Sequence, residues 1–84
     1  GKVGLKIFPN PSTGQVNLAY DSPRSDMAHI RFYDVKGTAV FDKKYAVKKG
    51  ENRILVNMAG INGGIYSVKA RVGEWEAGGM FLKE

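Results

Sequence analysis

Apolar and polar residues alternate along this chain in short stretches, and Gly, Pro, Asn or Asp bounds each stretch. Alternation puts every second side chain on one face of an extended strand, whereas a stripe of period 3.6 marks a helix. No helical stripe of useful length occurs. The clearest run is Gly64 to Val72, where Tyr66, Val68, Ala70 and Val72 alternate with Ser67, Lys69 and Arg71. Gln15 to Tyr20 sets Val16, Leu18 and Tyr20 against Gln15, Asn17 and Ala19. Ala28 to Asp34 buries Ala28, Ile30 and Phe32 while His29, Arg31 and Tyr33 point away. Further strands are expected over Val3 to Phe8, closed by Pro9, over Thr38 to Tyr45, over Arg53 to Asn57 with Ile54 and Val56 inward, and over Trp75 to Lys83.

The punctuation fixes the connections. Asp21 to Met27, with Pro23, reads as a polar loop crossing between sheets, Val35-Lys36-Gly37 as a turn, and Met58 to Gly63 as a connection. Gly73-Glu74 fits a two-residue hairpin turn that wants glycine first. Gly78-Gly79 predicts a bulge that re-aims Met80 to Leu82. Seven strands with turn signals roughly every eight to twelve residues predict an all-β fold, a seven-stranded antiparallel immunoglobulin-like β-sandwich. The Cys…Trp…Cys core of antibody domains is missing, so the expectation concerns architecture. With no repeat or linker in view, residues 1–84 read as a single domain with its core at about 5–83.

Composition narrows this further. An 84-residue chain buries only about 60–65% of the surface its unfolded form exposes, so the core is modest. The absence of cysteine excludes disulfides and thiolate metal sites. Apolar runs of a few residues are too short for a membrane-crossing helix, and no membrane insertion is expected. A start at Gly1 rather than methionine suggests a processed piece or excised domain. The net charge of +5 gathers in Lys43, Lys44, Lys48, Lys49 and Arg53. Lysines on a strand edge keep other strands from pairing there, and no aromatic residue interleaves with them to stack on a base, so no nucleic-acid partner is expected.

Candidate chemistry is sparse. Ser25, Asp26 and His29 are near neighbours in sequence, but nucleophilic triads assemble in space from separated segments. Glu74 and Glu76 read as solvated rather than as an acid–base pair in an apolar pocket. Asp21, Asp26 and their neighbours lack the ligand spacing of a calcium loop, and one histidine builds no zinc site. No metal, cofactor or catalytic residue is expected. Trp75 shares the parity of Ala77 and is expected in the core; if exposed, it would suit a carbohydrate-binding or adhesive module. A plain structural spacer is a third reading.

Physical reasons attach to the segment Ile7-Phe8-Pro9-Asn10-Pro11-Ser12-Thr13-Gly14. The prolines fix φ, Pro11 drives Asn10 toward an extended conformation, and Gly14 is expected to permit the turn into the next strand. Together with "IRFYDVKGTAVF", "KKGENRILVNMAGINGGIYSVKARVG" and the terminal "GGMFLKE", this segment resembles the C-terminal sorting domain of the type IX secretion system, from about Leu5 to Lys83. Pro9, Asn10, Pro11 and Gly14 match that family's opening motif, and Asp34 and Gly37 its first hairpin. Gly50, Asn52, Ile54 and Val56 match its fifth strand, Gly64, Tyr66 and Val68 its sixth, and Lys83 its basic end, here followed by Glu84.

The resemblance implies a non-catalytic address on the C-terminal side of a cargo. Such a domain folds in the periplasm and is recognised by the outer-membrane type IX translocon. The cargo then reaches the outer-membrane surface or the medium. A sortase-like peptidase typically removes the domain, and the cargo is released or joined to anionic lipopolysaccharide; some members keep it. The residues expected to be read are Met80, Phe81, Leu82 and Lys83, by strand addition along an unpaired final edge. The same edge would support a strand-mediated dimer.

Overall fold

In each strand of this chain, alternation settles which face is buried, and the two resulting apolar faces close on one another. The computed structural model describes residues 4–84. Its strands are β1 (Gly4–Phe8), β2 (Gln15–Ser22), β3 (Asp26–Tyr33), β4 (Ala39–Val47), β5 (Gly50–Asn57), β6 (Gly64–Val72) and β7 (Trp75–Lys83). All pairings are antiparallel, in a three-stranded sheet of order β1-β2-β5 and a four-stranded sheet of order β4-β3-β6-β7. The chain changes sheet after β2, β4 and β5, giving the predicted immunoglobulin-like sandwich.

One sheet supplies Val16, Leu18, Tyr20, Ile54 and Val56 to the core; the other supplies Ala28, Ile30, Phe32, Tyr66, Val68, Ala70, Val72 and Phe81. Each large apolar side chain so buried contributes about 1.5–3 kcal/mol. The strands run further than local pattern indicates, because pairing carries them on. Val47 is buried and prolongs β4, while Gly50 and Glu51 pair with Ser22 and Asp21 and so lengthen both β5 and β2. The loop between sheets shrinks to Pro23–Ser25. Val3, expected in the first strand, lies outside the described residues.

Two expectations are corrected. Gly78 and Gly79 form no bulge: Gly79 pairs with Val68 and Gly78 with Lys69 in unbroken register, and the irregularity falls at Phe32/Tyr33 instead. Gly79 serves close packing, since a Cβ there would sit 2.9 Å from Ile7 Cδ1 of β1 in the facing sheet. Trp75 has the inward parity but stands 42% exposed. It begins β7 at the end of the sandwich, where Arg24, rather than the opposite sheet, lies over its ring at 5.5 Å.

Two buried tyrosines end differently. The Tyr66 hydroxyl donates to the Asn62 carbonyl four residues upstream, the arrangement of a tyrosine corner at the entry of a sandwich strand. The Tyr20 hydroxyl is fully enclosed without a well-formed hydrogen bond among the described residues; burial raises its pKa, and the nearby Ser22 hydroxyl offsets part of that. Removing a satisfied buried hydrogen bond destabilises, whereas removing an unsatisfied hydroxyl relieves a desolvation cost. Tyr66→Phe is therefore expected to lose about 1–2 kcal/mol, and Tyr20→Phe to match or exceed the parent. Urea midpoints of the two variants measure the contrast.

Candidate recognition surface on the last strand

β7 is an edge strand, paired with β6 on one side. Its terminal half is nonetheless not open. The Asn10 amide donates through Nδ2 to the Met80 carbonyl at 3.1 Å, and its Oδ1 accepts the Leu82 N–H at 2.9 Å. Ser12 continues the pattern as a single parallel bridge: its N–H donates to the Leu82 carbonyl and its carbonyl accepts the Glu84 N–H, both at 2.9 Å. The Pro9–Asn10–Pro11 turn thus carries the chain from β1 to the rim of the other sheet, where Asn10 and Ser12 act as a short substitute strand. Proline has no N–H to offer a ladder, so side chain and backbone of its neighbours do the pairing. The expected unpaired edge persists only over the first half of β7.

The four expected recognition residues divide by parity. Phe81 and Lys83 face inward; Phe81 packs edge-on to Phe32 at 5.3 Å and stacks on Tyr66 at 5.5 Å. Met80 and Leu82 face out, 62% and 42% exposed. Leu82 lies opposite Ile65 of β6, itself exposed, so the three form one apolar patch.

The remaining motif residues hold turns. Asp34 Oδ1 accepts the N–H groups of Lys36 at 3.0 Å and Thr38 at 2.9 Å, and Gly37 takes φ +84° in the same turn. Asn52 clasps the β4–β5 turn: Oδ1 accepts from Lys48 N–H, and Nδ2 donates to the Lys48 and Gly50 carbonyls at 2.8 and 2.9 Å. Gly50 there has φ +98°. Val68 is core, and Gly64 leads into the tyrosine corner of Tyr66. Gly14 departs from expectation: its φ is not positive, and its role is a carbonyl that accepts the Met58 N–H at 2.7 Å.

The polar residues weighed for chemistry are dispersed. Ser25 Oγ accepts the Lys49 N–H at 3.1 Å, and Asp26 binds Arg24 Nε at 2.8 Å. His29 Nε2 instead lies 2.5 Å from Asp42 Oδ1, and Arg31 Nε donates to Asp42 Oδ2 at 3.1 Å. Arg53 leaves the lysine cluster for the outer face of the other sheet, over the Phe8 ring at 5.0 Å. Sequence reasoning missed a second feature of the four-stranded sheet, a depression of about 260 Å³ lined by His29, Arg31, Tyr33, Lys69, Arg71 and Glu76. The odd-numbered outward residues of β3 and β6 were its only signal.

Asp42 is held below the usual carboxylate value, first by its hydrogen bond to His29, with Arg31 adding. Asp26 is lowered by the Met27 N–H, then by Arg24. Stability from carboxyls lowered on folding is complete above their unfolded value and is lost as pH falls through the folded one. Asp26→Asn with Asp42→Asn is accordingly expected to flatten the fall in urea midpoint below about pH 4. Asn10→Ala removes both side-chain bonds on the β7 rim. A loss of about 1–2 kcal/mol and faster amide exchange at Leu82 are expected, read by urea titration and exchange spectroscopy.

No curated protein matches the chain. The family model for a secretion system C-terminal sorting domain matches residues 6–77, from within β1 to the first residues of β7, and leaves Met80–Lys83 beyond the matched span. The match covers most of the chain, and the chain belongs to the family of type IX secretion C-terminal sorting domains.

Proposed function

We propose that this chain works as a non-catalytic address, carried on the C-terminal side of a cargo and read by the outer-membrane translocon through its last strand. Family membership makes it a type IX sorting signal, with export across the outer membrane to the cell surface or the medium. The observation that supports the finer reading is the last strand itself, where Met80 and Leu82 stand exposed beside the buried Phe81. Met80, Phe81, Leu82 and Lys83 are assigned to recognition, with Phe81 and Lys83 anchoring the strand from inside. In this reading a sortase-like peptidase cuts ahead of the fold and the cargo is released or joined to anionic lipopolysaccharide. A strand-mediated dimer would first require Asn10 and Ser12 to leave the β7 rim, or would use the open first half of that strand.

A carbohydrate-binding or adhesive reading is favoured by one observation, the exposure of Trp75. Arg24 already covers one face of that ring. Glycan binding lost in Trp75→Ala would support it.

The test is export of a periplasmic reporter fused ahead of the whole chain, in a cell with a working type IX system. The reporter is expected outside the outer membrane; retention in the periplasm would overturn the proposal. Deleting Met80–Glu84 is a weaker probe, because it also removes Phe81 from the core.

A further inference from the structure

The rim of β7 and its outward face offer a partner different things. Asn10 and Ser12 already occupy the backbone groups of Met80, Leu82 and Glu84 that an added strand would pair with. The side chains of Met80 and Leu82, with Ile65 across from Leu82, are uncovered. Alternate residues of one strand and directly opposed residues of its neighbour share a face, so these three form a continuous apolar strip.

The strip runs into the basic depression. One rung beyond Met80 comes Gly78 opposite Lys69, and Lys69 is in turn opposite Arg31. The next rung sets Glu76, Arg71 and His29 side by side. Gly78 has no positive φ, and a Cβ there would meet nothing closer than the Val68 carbonyl at 3.5 Å, an ordinary contact. The fold therefore does not require glycine at this position. Three cations border the hollow: Arg31, already bonded to Asp42 at 3.1 Å, Lys69, 3.9 Å from Glu76, and Arg71.

We propose that the export partner reads this side-chain face rather than the strand edge. The partner is a protein whose apolar seat takes Ile65, Met80 and Leu82, and whose Asp or Glu side chains enter the depression toward Lys69 and Arg71, Arg31 being held by Asp42. This rests on the sorting reading above and changes how that reading works. An apolar anchor ringed by complementary charge is the usual make-up of a specific interface, the anchors giving affinity and the charges orientation and encounter rate.

The experiment uses the reporter fused to the whole chain, with three variants: Ile65→Ser/Met80→Ser/Leu82→Ser, Lys69→Glu/Arg71→Glu, and Leu55→Ser as a control on the outer face of the opposite sheet. Melting temperature and circular dichroism establish that each folds. Export is expected to fall about tenfold or more for the first two, in line with loss of central anchors, and to stay unchanged for Leu55→Ser. Unchanged export in both face variants, with the parent fusion exported, overturns this inference and leaves the sorting reading standing. A parent fusion that is not exported removes both. If Asn10→Ala, which frees the Met80 carbonyl and Leu82 N–H while the Ser12 bridge remains, raises export while the face variants do not lower it, the edge is the recognition element. Binding of the purified chain to phosphatidylglycerol vesicles, or a dimer by light scattering, that disappears in the first variant would assign the face to lipid or to a second copy instead.

Discussion

Phe81 is one residue on an edge strand, yet its burial between Phe32 and Tyr66 joins the chain's end to the centre of the molecule. An aromatic side chain of this size, placed in well-oriented contact with two others, contributes several times what a surface strand residue does. Once Phe81 faces inward, the pleat leaves no freedom for its neighbours. Met80 and Leu82 must face out, and their backbone groups must line the rim on which Asn10 and Ser12 sit. The exposed apolar strip is in this sense a by-product of core packing: the same alternation that anchors the strand displays it.

Polar residues elsewhere do matching work for the backbone. A seven-stranded sandwich of this length has little core to spare, and each of its turns leaves amides and carbonyls outside the ladders. Asp34, Asn52 and Tyr66 each return a side chain to such groups within a few residues of themselves. Asn10 does so across 70 positions of sequence. Asp34 and Tyr66 are thus local hydrogen-bond solutions around a generic apolar alternation, whereas Asn52, which also donates to the Tyr20 carbonyl, and Asn10 reach across the fold.

That division explains what could be read in advance. The strands, their inward residues and the turns at Asp34–Gly37 and Gly73–Glu74 were legible because period-two alternation and turn chemistry are local. β6 was placed with its final bounds, and Ala28, Ile30 and Phe32 are buried as expected. Trp75 was misread because parity names a face but not whether another sheet reaches that far. Gly79 was misread because the close approach of Ile7 is a contact between sheets. The closure of the β7 rim was not readable for the same reason, since nothing near Met80 announces a partner near the other end of the chain. The basic depression likewise needs the lateral order β3-β6-β7, which no single strand contains.

The last strand is fixed on two sides, by Phe81 inside and by the Asn10–Ser12 segment on the rim, leaving the outward side chains of Met80 and Leu82 exposed. Scalar coupling across hydrogen bonds, measured by nuclear magnetic resonance between the Ser12 amide nitrogen and the Leu82 carbonyl carbon, and between the Glu84 amide nitrogen and the Ser12 carbonyl carbon, tests this arrangement most directly. Both couplings are predicted to be detectable in the folded chain. Their absence, with the Glu84 amide exchanging as fast as an unstructured peptide, would contradict the account.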